Sequence, residues 1–396
     1  MINRRTVISV FGALSLMMAV PSTASAQDQL IVGALPPMTG GAAIYGPGMR
    51  DAINVALKNV NDAGGVLGQP VKVFFEDDQT NPENAVRAAR KLVDLDKASV
   101  LISLLASSVT AAVAPLCWET KTPCIVIGSA DSITELPHQG YIFRTQPSIS
   151  MQAARFGKVA ADNLKSGDSV YMMLPQSPYS ETLRQNVGGT LKEKGVEFAS
   201  EIYDPAKTSL RTEVQKAVQS NPDVIMLGGL VPDNTVILRD LYRSNFKGRL
   251  IGLGTGINPA VLESVPPEAI EGALAMTPSP DLDATAYTEL SDALGRKALN
   301  FEAQVYDQFN LAVLAAAYAK SSDGTAIRDA MKKISQGDGE KVTSVVEGLK
   351  LIGEGKEINY QGASGDIEFD DIGNIAAAKF LVERVEAGKF ISLGVN

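Results

Sequence analysis

Two patterns of apolar and polar positions alternate along the chain: short continuous apolar runs, and longer segments with a 3.6-residue period. Short apolar runs such as Leu30–Leu35, Val100–Leu105 and Val224–Leu227 predict buried strands. Segments such as Met49–Asp62 place apolar residues on one face of a 3.6-residue period, which predicts amphipathic helices. Strands that alternate with helices imply a mostly parallel sheet covered on both faces. The pattern therefore predicts an α/β fold.

The alternation occurs in two successive sets. The first set ends near a predicted crossing at Tyr141–Pro147, and the second runs from Ser169 to about Leu253. It breaks near Met276–Pro280, after which come a long predicted helix, Phe301–Lys320, and a tail with strand-like segments. Two sets of alternating strands and helices, followed by a third segment without that regular alternation, predict two lobes joined by several crossings.

The stretch Leu104–Thr110 joins a predicted buried strand to an alanine-rich helix that is predicted to end near Cys117. Ser107 or Ser108 is expected to be the helix N-cap. Such a junction offers unpaired N–H groups, hydroxyls and the positive end of a helix dipole. A carboxylate can bind there without a lysine or arginine. The alternative is that the serines only cap the helix.

Three loops are expected to share one edge of the first sheet, because each follows a predicted strand: Pro36–Gly48, Ala106–Thr110 and Gly128–Ser132. In parallel α/β sheets, ligands bind beyond the carboxyl ends of the strands. The sequence thus predicts that a ligand site lies where these loops meet.

Composition supports a soluble globular chain with room for two cores. The chain has 396 residues, of which 45% are hydrophobic and 20% charged. Its net charge is −9, and residues 1–26 contribute two arginines and no acid, so the remainder has 34 basic and 45 acidic residues, or −11. This excess of acid argues against nucleic acid or an anionic membrane surface as a partner.

The first 26 residues have the features of a signal peptide. Met1–Thr6 is basic, Val7–Val20 is an apolar core, and Ala24–Ala26 is a small-residue cleavage site. The mature chain is expected to begin near Gln27 and to be exported and soluble. An uncleaved anchor is the alternative, and lipid anchoring is not expected because no cysteine follows the cleavage site.

Because oxidising compartments favour disulfides, export predicts that the two cysteines are bonded to each other. Cys117 is predicted to end a helix and Cys124 to begin the next strand. A bridge between them would stabilise the fold by about 2.5 kcal/mol in the chain-entropy model. Two free buried thiols are the alternative.

Catalytic and metal-binding signals are sparse. The single histidine, His138, lies in a predicted surface turn and excludes most histidine triads and zinc sites. No metal or cofactor site is predicted. The acid pairs Asp77-Asp78 and Asp370-Asp371 leave a carboxylate-dependent hydrolase as an alternative function. Adjacent residues on an extended chain point in opposite directions, however, which disfavours that chemistry.

A set of short motifs extends over the whole predicted mature chain. They are Gly33–Gly40, Tyr45-Gly46, Ile53-Asn54, Asn61–Gly68, Asp77-Asp78, Ala106–Thr110, Tyr141–Thr145, Val305–Asp307, Tyr360–Gly365 and Phe369-Asp370. In order and spacing they resemble the periplasmic leucine/isoleucine/valine-binding proteins, which deliver solutes to ATP-driven (ABC) importers.

This resemblance implies a type I periplasmic binding protein: two Rossmann-like α/β lobes joined by a three-segment hinge, with a ligand cleft between them. It places residues 27–146 and 277–373 in lobe 1 and residues 147–276 and 374–396 in lobe 2. The implied partners are a small-molecule carboxylate or amino acid and the membrane permease of an ABC importer, in the periplasm. A monomer is expected, and a sensory binding protein is an alternative to a transport receptor.

The resemblance also implies a set of ligand-binding residues. The ligand carboxylate is expected at Ser107, Ser108, Ala130 and Ser132. Tyr45 is expected to line the cleft from the first lobe, and Tyr179, Leu230 and Thr255 from the second. Ordinary half-buried tyrosines are the alternative for Tyr45 and Tyr179.

Thr255 departs from the pattern of the amino-acid binders, which carry an acid there to pair with the ligand ammonium. Leu230 departs too, because those proteins often have an aromatic residue at its position. Either another acid replaces the missing one, with Asp131 the nearest candidate, or the ligand has no amine. The alternative for Asp131 is a helix N-cap or a solvent-facing turn.

Overall fold

The computed structural model describes residues 29–395, so the predicted signal peptide, residues 1–26, lies outside the described part of the chain. The strands are β1 (Ile31–Ala34), β2 (Lys72–Phe75), β3 (Val100–Leu104), β4 (Cys124–Val126), β5 (Ile142–Arg144), β6 (Ser169–Pro175), β7 (Glu197–Tyr203), β8 (Val224–Leu227), β9 (Arg249–Leu253), β10 (Leu274–Ser279), β11 (Glu340–Val342), β12 (Ile358–Tyr360), β13 (Lys379–Glu386) and β14 (Lys389–Val395).

Helices separate most of these strands. They are α1 (Gly46–Asp62), α2 (Pro82–Arg90), α3 (Ser107–Glu119), α4 (Ser132–Glu135), α5 (Ile149–Asp162), α6 (Ser180–Glu193), α7 (Arg211–Gln219), α8 (Val231–Arg243), α9 (Pro259–Ser264), α10 (Thr285–Leu294), α11 (Asn300–Ala319), α12 (Gly324–Ser335) and α13 (Val345–Gly353). A π-helical turn, Lys91–Leu95, extends α2, and Pro267–Ala269 forms a 3₁₀ turn.

Two separate sheets organise two lobes. The first lobe contains a parallel sheet in the order β2-β1-β3-β4-β5, and the second contains a sheet in the order β14-β13-β10-β9-β8-β6-β7. In the second sheet, β13 pairs antiparallel with β10 and with β14, while the strands from β7 to β10 are parallel. The prediction of an α/β fold with two lobes is confirmed.

Each sheet is covered by apolar helix faces on both sides, as expected for parallel strands. In the first lobe, α1 and α11 contribute to the core on one face, and α2 and α3 to the core on the other. In the second lobe, α5 and α6 cover one face, and α7 and α8 the other. No described helix within residues 29–395 has the length and apolar character that crossing a membrane requires.

The crossings between lobes differ from the predicted bounds. Thr277–Ser279, assigned to lobe 1 from the sequence, belong to β10 and pair with β13 in the second sheet. Asn374 bridges to Arg144 of β5, and Ile375 packs in the core of the first lobe, so these two residues do not lie in lobe 2. The predicted bounds at 276/277 and 373/374 were therefore wrong by a few residues.

Several local predictions also need correction. Helices α5 and α10 were not predicted, and β5 lies inside the predicted crossing. His138 is buried rather than on the surface, and burial lowers the pKa of its imidazole. The predicted disulfide is present: Cys117, near the end of α3, is bonded to Cys124, the first residue of β4, and both are fully buried.

Candidate functional site

A cavity of about 330 Å³ lies between the lobes, beyond the carboxyl ends of their parallel strands. The loops that follow β3, β4, β6, β8 and β9 all contribute to its wall. The polar residues that line it are Thr80, Ser107, Ser108, Ser129, Gln146, Gln152, Gln176, Ser177, Tyr179, Asp233 and Thr255. The loops after β3 and β4 thus meet at one edge, as the strand–helix alternation predicts.

The start of α3 forms one side of this cavity. Helix α3 begins at Ser107, and its N-cap is Ala106, so the expectation of a serine N-cap was wrong. No side chain caps the first turn, and that turn contains no acid. The first amides of a helix have no partner within it, and together they form the positive end of its dipole. Ala106, Ser107 and Ser108 therefore present an uncapped helix end to the cavity, a type of site that can hold an anion.

Ser107 has a defined orientation in this turn. Its Oγ accepts a hydrogen bond from the backbone N–H of Ala130 at 3.2 Å. Because a hydroxyl has one hydrogen as well as acceptor lone pairs, the Ser107 hydroxyl can still donate one hydrogen bond. Ala130 itself does not line the cavity, since its amide is directed to Ser107.

A buried arginine fixes the neighbouring loop. Arg144 of β5 donates from Nη1 to the carbonyl oxygens of Ser129 at 2.8 Å and Ala130 at 2.7 Å, and from Nε to Oδ1 of Asn374 at 2.9 Å. Its side chain is fully buried, and burial lowers its pKa to about 10. Arg144 therefore positions the loop after β4 and links it to a crossing between the lobes.

The structure separates the nine predicted site residues into two groups. Those that line the cavity are Ser107, Ser108, Tyr179, Leu230 and Thr255. Those that do not are Tyr45, Ala130, Asp131 and Ser132. Tyr45 packs edge-on against Phe301, with ring centroids 4.9 Å apart, and Phe301 rather than Tyr45 reaches the cavity. Ser132 is the first residue of the short helix α4.

Asp131 is occupied elsewhere. Its Oδ2 accepts a hydrogen bond from the Ser150 hydroxyl at 2.5 Å, and its Oδ1 accepts one from the Ser150 backbone N–H at 3.4 Å. Ser150 lies in the first turn of α5, so the Asp131 carboxylate is placed at the positive end of that helix. The expectation that Asp131 replaces the missing cleft acid is not supported, because its charge is used to join α5 to the first lobe.

The second lobe adds aromatic and apolar side chains to the polar residues that it contributes to the cavity wall. Tyr179 donates its hydroxyl to the carbonyl oxygen of Gly228 at 2.5 Å, and burial raises its pKa above the ordinary range, so the phenol stays protonated. Leu230 packs against the core of the first lobe, and a Cβ atom on Gly41 would lie 3.4 Å from its Cδ1. The two lobes thus touch across the cleft.

Asp233 is a cavity residue that the sequence reasoning missed. It lies in the first turn of α8 and is partly buried, and of the described residues that line the cavity it alone has a charged side chain. The hydroxyl of Tyr203 donates to its Oδ2 at 3.4 Å. Burial raises the pKa of the Asp233 carboxyl to about 6. Pro232 and Asp233 follow β8 closely, a helix-start signal that could have placed this acid at the cavity.

One member of each of the other acid pairs is held by backbone amides outside the cavity. Asp77 accepts hydrogen bonds from the backbone amides of Met38 and Gln79. Asp370 accepts from the amides of Ile372 and Asn374. Within residues 29–395 there is also no group of three or more His, Cys, Asp or Glu side chains that could hold a metal ion.

The fold and the site together define a class of protein: two α/β lobes, joined by crossings and enclosing a cavity, form a type I solute-binding receptor. A family model described as periplasmic binding protein matches residues 29–348. The chain belongs to this family.

Relatives and solved structures agree with that assignment. A leucine-, isoleucine-, valine-, threonine- and alanine-binding protein from Pseudomonas aeruginosa is 25% identical over 371 residues, covering 92% of this chain and 93% of the relative. A leucine-binding protein from Thermotoga maritima shares the fold with a TM-score of 0.79 at 22% identity, covering 92% and 98% of the two chains. A solute-binding protein from Rhodopseudomonas palustris, solved with 3,4-dihydroxybenzoic acid, has a TM-score of 0.75 at 21% identity, covering 93% and 98%.

Proposed function

We propose that this protein is the periplasmic receptor of an ABC importer and that it captures a small carboxylate between its lobes. The ligand class is a hydrophobic amino acid or a related aromatic or aliphatic acid. The receptor acts as a monomer that delivers its solute to a membrane permease. It binds and releases its ligand without converting it.

One observation carries the proposal: the uncapped start of α3 opens into the cavity between the lobes. Within residues 29–395, no lysine or arginine lines that cavity, so the anion is bound by backbone amides and by the hydroxyls of Ser107 and Ser108. Hydrogen bonds to a charged group are each worth about 1.5–3 kcal/mol, which is enough to fix the orientation of a small ligand.

The relatives support the same ligand class. The Pseudomonas aeruginosa protein is named for amino acids, and the Rhodopseudomonas palustris protein was solved with an aromatic acid. These ligands differ in shape and in the presence of an amine, but all have a carboxylate. An anion site built from a helix end accommodates both kinds, because it recognises the carboxylate alone.

Contacts between the lobes support capture by closure. Leu230 packs on the first lobe beside Gly41, and Asp131 holds the start of α5. Burial of the ligand between the lobes would supply affinity, while a few polar groups set its orientation. Hinge closure of this kind is a general device of two-lobed binding proteins.

A thermal-shift screen of the mature chain tests the ligand class. Amino acids and their deaminated analogues are each expected to raise the melting temperature if they bind, since a ligand stabilises the folded state by mass action. Turnover of a candidate ligand by the purified protein would instead favour the hydrolase alternative.

Ser107→Ala tests the anion site directly. Calorimetry should show that carboxylate ligands bind more weakly by about 1.5–3 kcal/mol, the worth of one hydrogen bond to a charged group. Ser244→Ala, at the exposed end of α8 and outside the cavity, is the matched control and should leave affinity unchanged. Unchanged affinity in the Ser107→Ala protein would contradict the assignment.

A further inference from the structure

We propose that Asp233 receives the ammonium group of the ligand, so that the solute is a zwitterion rather than a simple acid. This inference depends on the proposed function, because it requires a carboxylate already docked at the start of α3. It names a residue that replaces the acid expected near position 255.

The lining of the cavity leaves one residue for this role. Thr255 lines the cavity but carries no charge, and Asp131 lies outside it with its carboxylate directed to Ser150. Asp233 lines the same cavity from the second lobe. A ligand that extends from α3 across the cavity therefore meets a single carboxylate.

The surroundings of Asp233 leave its charge incompletely compensated. The Tyr203 hydroxyl donates over a long 3.4 Å, and the backbone N–H of Leu230 also favours the charged form. None of the ion pairs within residues 29–395 includes Asp233. A partly desolvated carboxylate without a cation costs free energy, and a bound ammonium would remove that cost.

A purely structural role is the competing explanation. Asp233 is the third residue of α8, a position where an acid commonly favours the start of a helix. A capping acid, however, has no need to line the ligand cavity. The two roles differ in a measurable way, since capping affects stability and affects all ligands equally, whereas ammonium recognition affects only ligands that carry an amine.

The test uses matched ligand pairs with the mature protein and isothermal titration calorimetry. The pairs are leucine with isocaproate and phenylalanine with hydrocinnamate, which differ only in the amine. Leucate, which has a hydroxyl in place of the amine of leucine, separates a cation from a neutral hydrogen-bond donor. In the wild-type protein, the Kd of the amine-bearing member of at least one pair should be lower than that of its analogue by a factor of about ten or more.

Three variants complete the design. Asp233→Asn should abolish most of the preference for the amine while changing the affinity for isocaproate and hydrocinnamate less than threefold, a limit of about 0.65 kcal/mol. Asp240→Asn, on the same helix but paired with Arg243 outside the cavity, is the matched control and should keep the preference. Asp131→Asn tests the rival acid and should keep the preference as well.

The outcomes separate the two proposals. A preference that survives Asp233→Asn, or is lost in Asp131→Asn instead, overturns the role of Asp233 but leaves the carboxylate receptor intact. Tighter binding of the deaminated members, or of leucate over leucine, also overturns it. If the wild-type protein binds neither member of either pair, the proposed ligand class fails and the role of Asp233 fails with it.

Discussion

The starts of α3 and α8 face the same cavity from opposite lobes, yet they have opposite electrostatic character. Each helix follows a buried strand, and neither has a side-chain cap. The first turn of α3 contains serines and no acid, whereas the first turn of α8 contains Asp233. One helix end is thus open to an external anion, while the other already has its own.

Under the proposed function, this difference divides ligand recognition between the two lobes. The first lobe offers backbone amides and hydroxyls at the start of α3, next to the loop after β4 that the buried Arg144 holds through the carbonyls of Ser129 and Ala130. Among the described residues, the second lobe offers one carboxylate, Asp233, together with neutral polar, apolar and aromatic groups. Because the two helix ends belong to different lobes, a ligand can engage both only when the cleft is closed.

The largest effect is expected from removing the support of the first-lobe site. Arg144→Met leaves the carbonyls of Ser129 and Ala130 and the Asn374 side chain without their buried donor. We expect the free energy of unfolding to fall by about 3–5 kcal/mol, measured by urea denaturation. Arg243→Met, which removes an exposed partner of Asp240, is the control and should cost less than about 1 kcal/mol. Equal losses in the two variants would show that the Arg144 network is not a special support.

The next largest effect is expected from making α3 resemble α8. Ser108→Asp places an acid in the first turn of α3, where it would occupy the positive helix end itself. Carboxylate affinity should fall by about 3 kcal/mol through like-charge repulsion, while stability should change by less than about 1 kcal/mol. Ser108→Asn is the uncharged control. Retained carboxylate affinity in the Ser108→Asp protein would show that the anion does not bind at α3.

A smaller effect concerns the stability of the unliganded protein. Burial raises the pKa of Asp233 to about 6 from an ordinary 3.8, so the folded state binds this proton more tightly than the unfolded state. The charged Asp233 carboxylate lowers the free energy of unfolding by its full amount above about pH 6, and this loss is absent below about pH 3.8. Asp233→Asn should therefore raise unfolding free energy by about 1–2 kcal/mol near pH 8 and by much less near pH 4.

Two tyrosines face Asp233 and do not disturb this pH window. Burial raises the pKa of Tyr179 and of Tyr203 above the ordinary range, so both stay protonated throughout. Urea denaturation at pH 4 and pH 8 measures the free energy of unfolding, and Asp240→Asn is the control. A stability difference that does not vary between pH 4 and pH 8 would indicate that Asp233 acts as a helix cap and not as a buried charge.

The smallest effect sharpens the comparison by moving the acid within the second lobe. Thr255→Glu is expected to favour amino acids over their deaminated analogues, and in the Asp233→Asn background it should restore roughly a fivefold preference, or about 1 kcal/mol. Thr255→Gln in the same background is the neutral control. Calorimetry with leucine and isocaproate measures the difference, and equal preferences in the Glu and Gln variants would contradict it.

Local patterns predicted much of the fold because strands and helices differ in their apolar period. The run at Val100 and the junction at Ser107 gave β3 and the start of α3 within one or two residues. The cysteine pair gave the disulfide, since Cys117 and Cys124 lie on elements that are neighbours in sequence. Helix α5 was not predicted, because the proline before Ser148 and the small residues after it weaken the 3.6-residue apolar pattern.

The site was only partly predictable, for a different reason. Asp131 and Asp233 both follow a strand of a parallel sheet and lie at the start of a helix, so the helix-start signal alone does not decide which of them faces the cavity. The difference arises from a third element, since the start of α5 binds Asp131 through Ser150 and leaves Asp233 as the cavity acid. Tyr45 is similar: its contact with Phe301 joins segments that are far apart in the chain.

The sequence by itself determined the alternation of strands and helices, the two lobes and the strand-to-helix junction at the start of α3, because each depends on residues close together along the chain. Only the tertiary structure decided which acid faces the cavity and which tyrosine is kept from it. Those outcomes depend on contacts between distant segments, where burial and competing hydrogen bonds assign each side chain its partner.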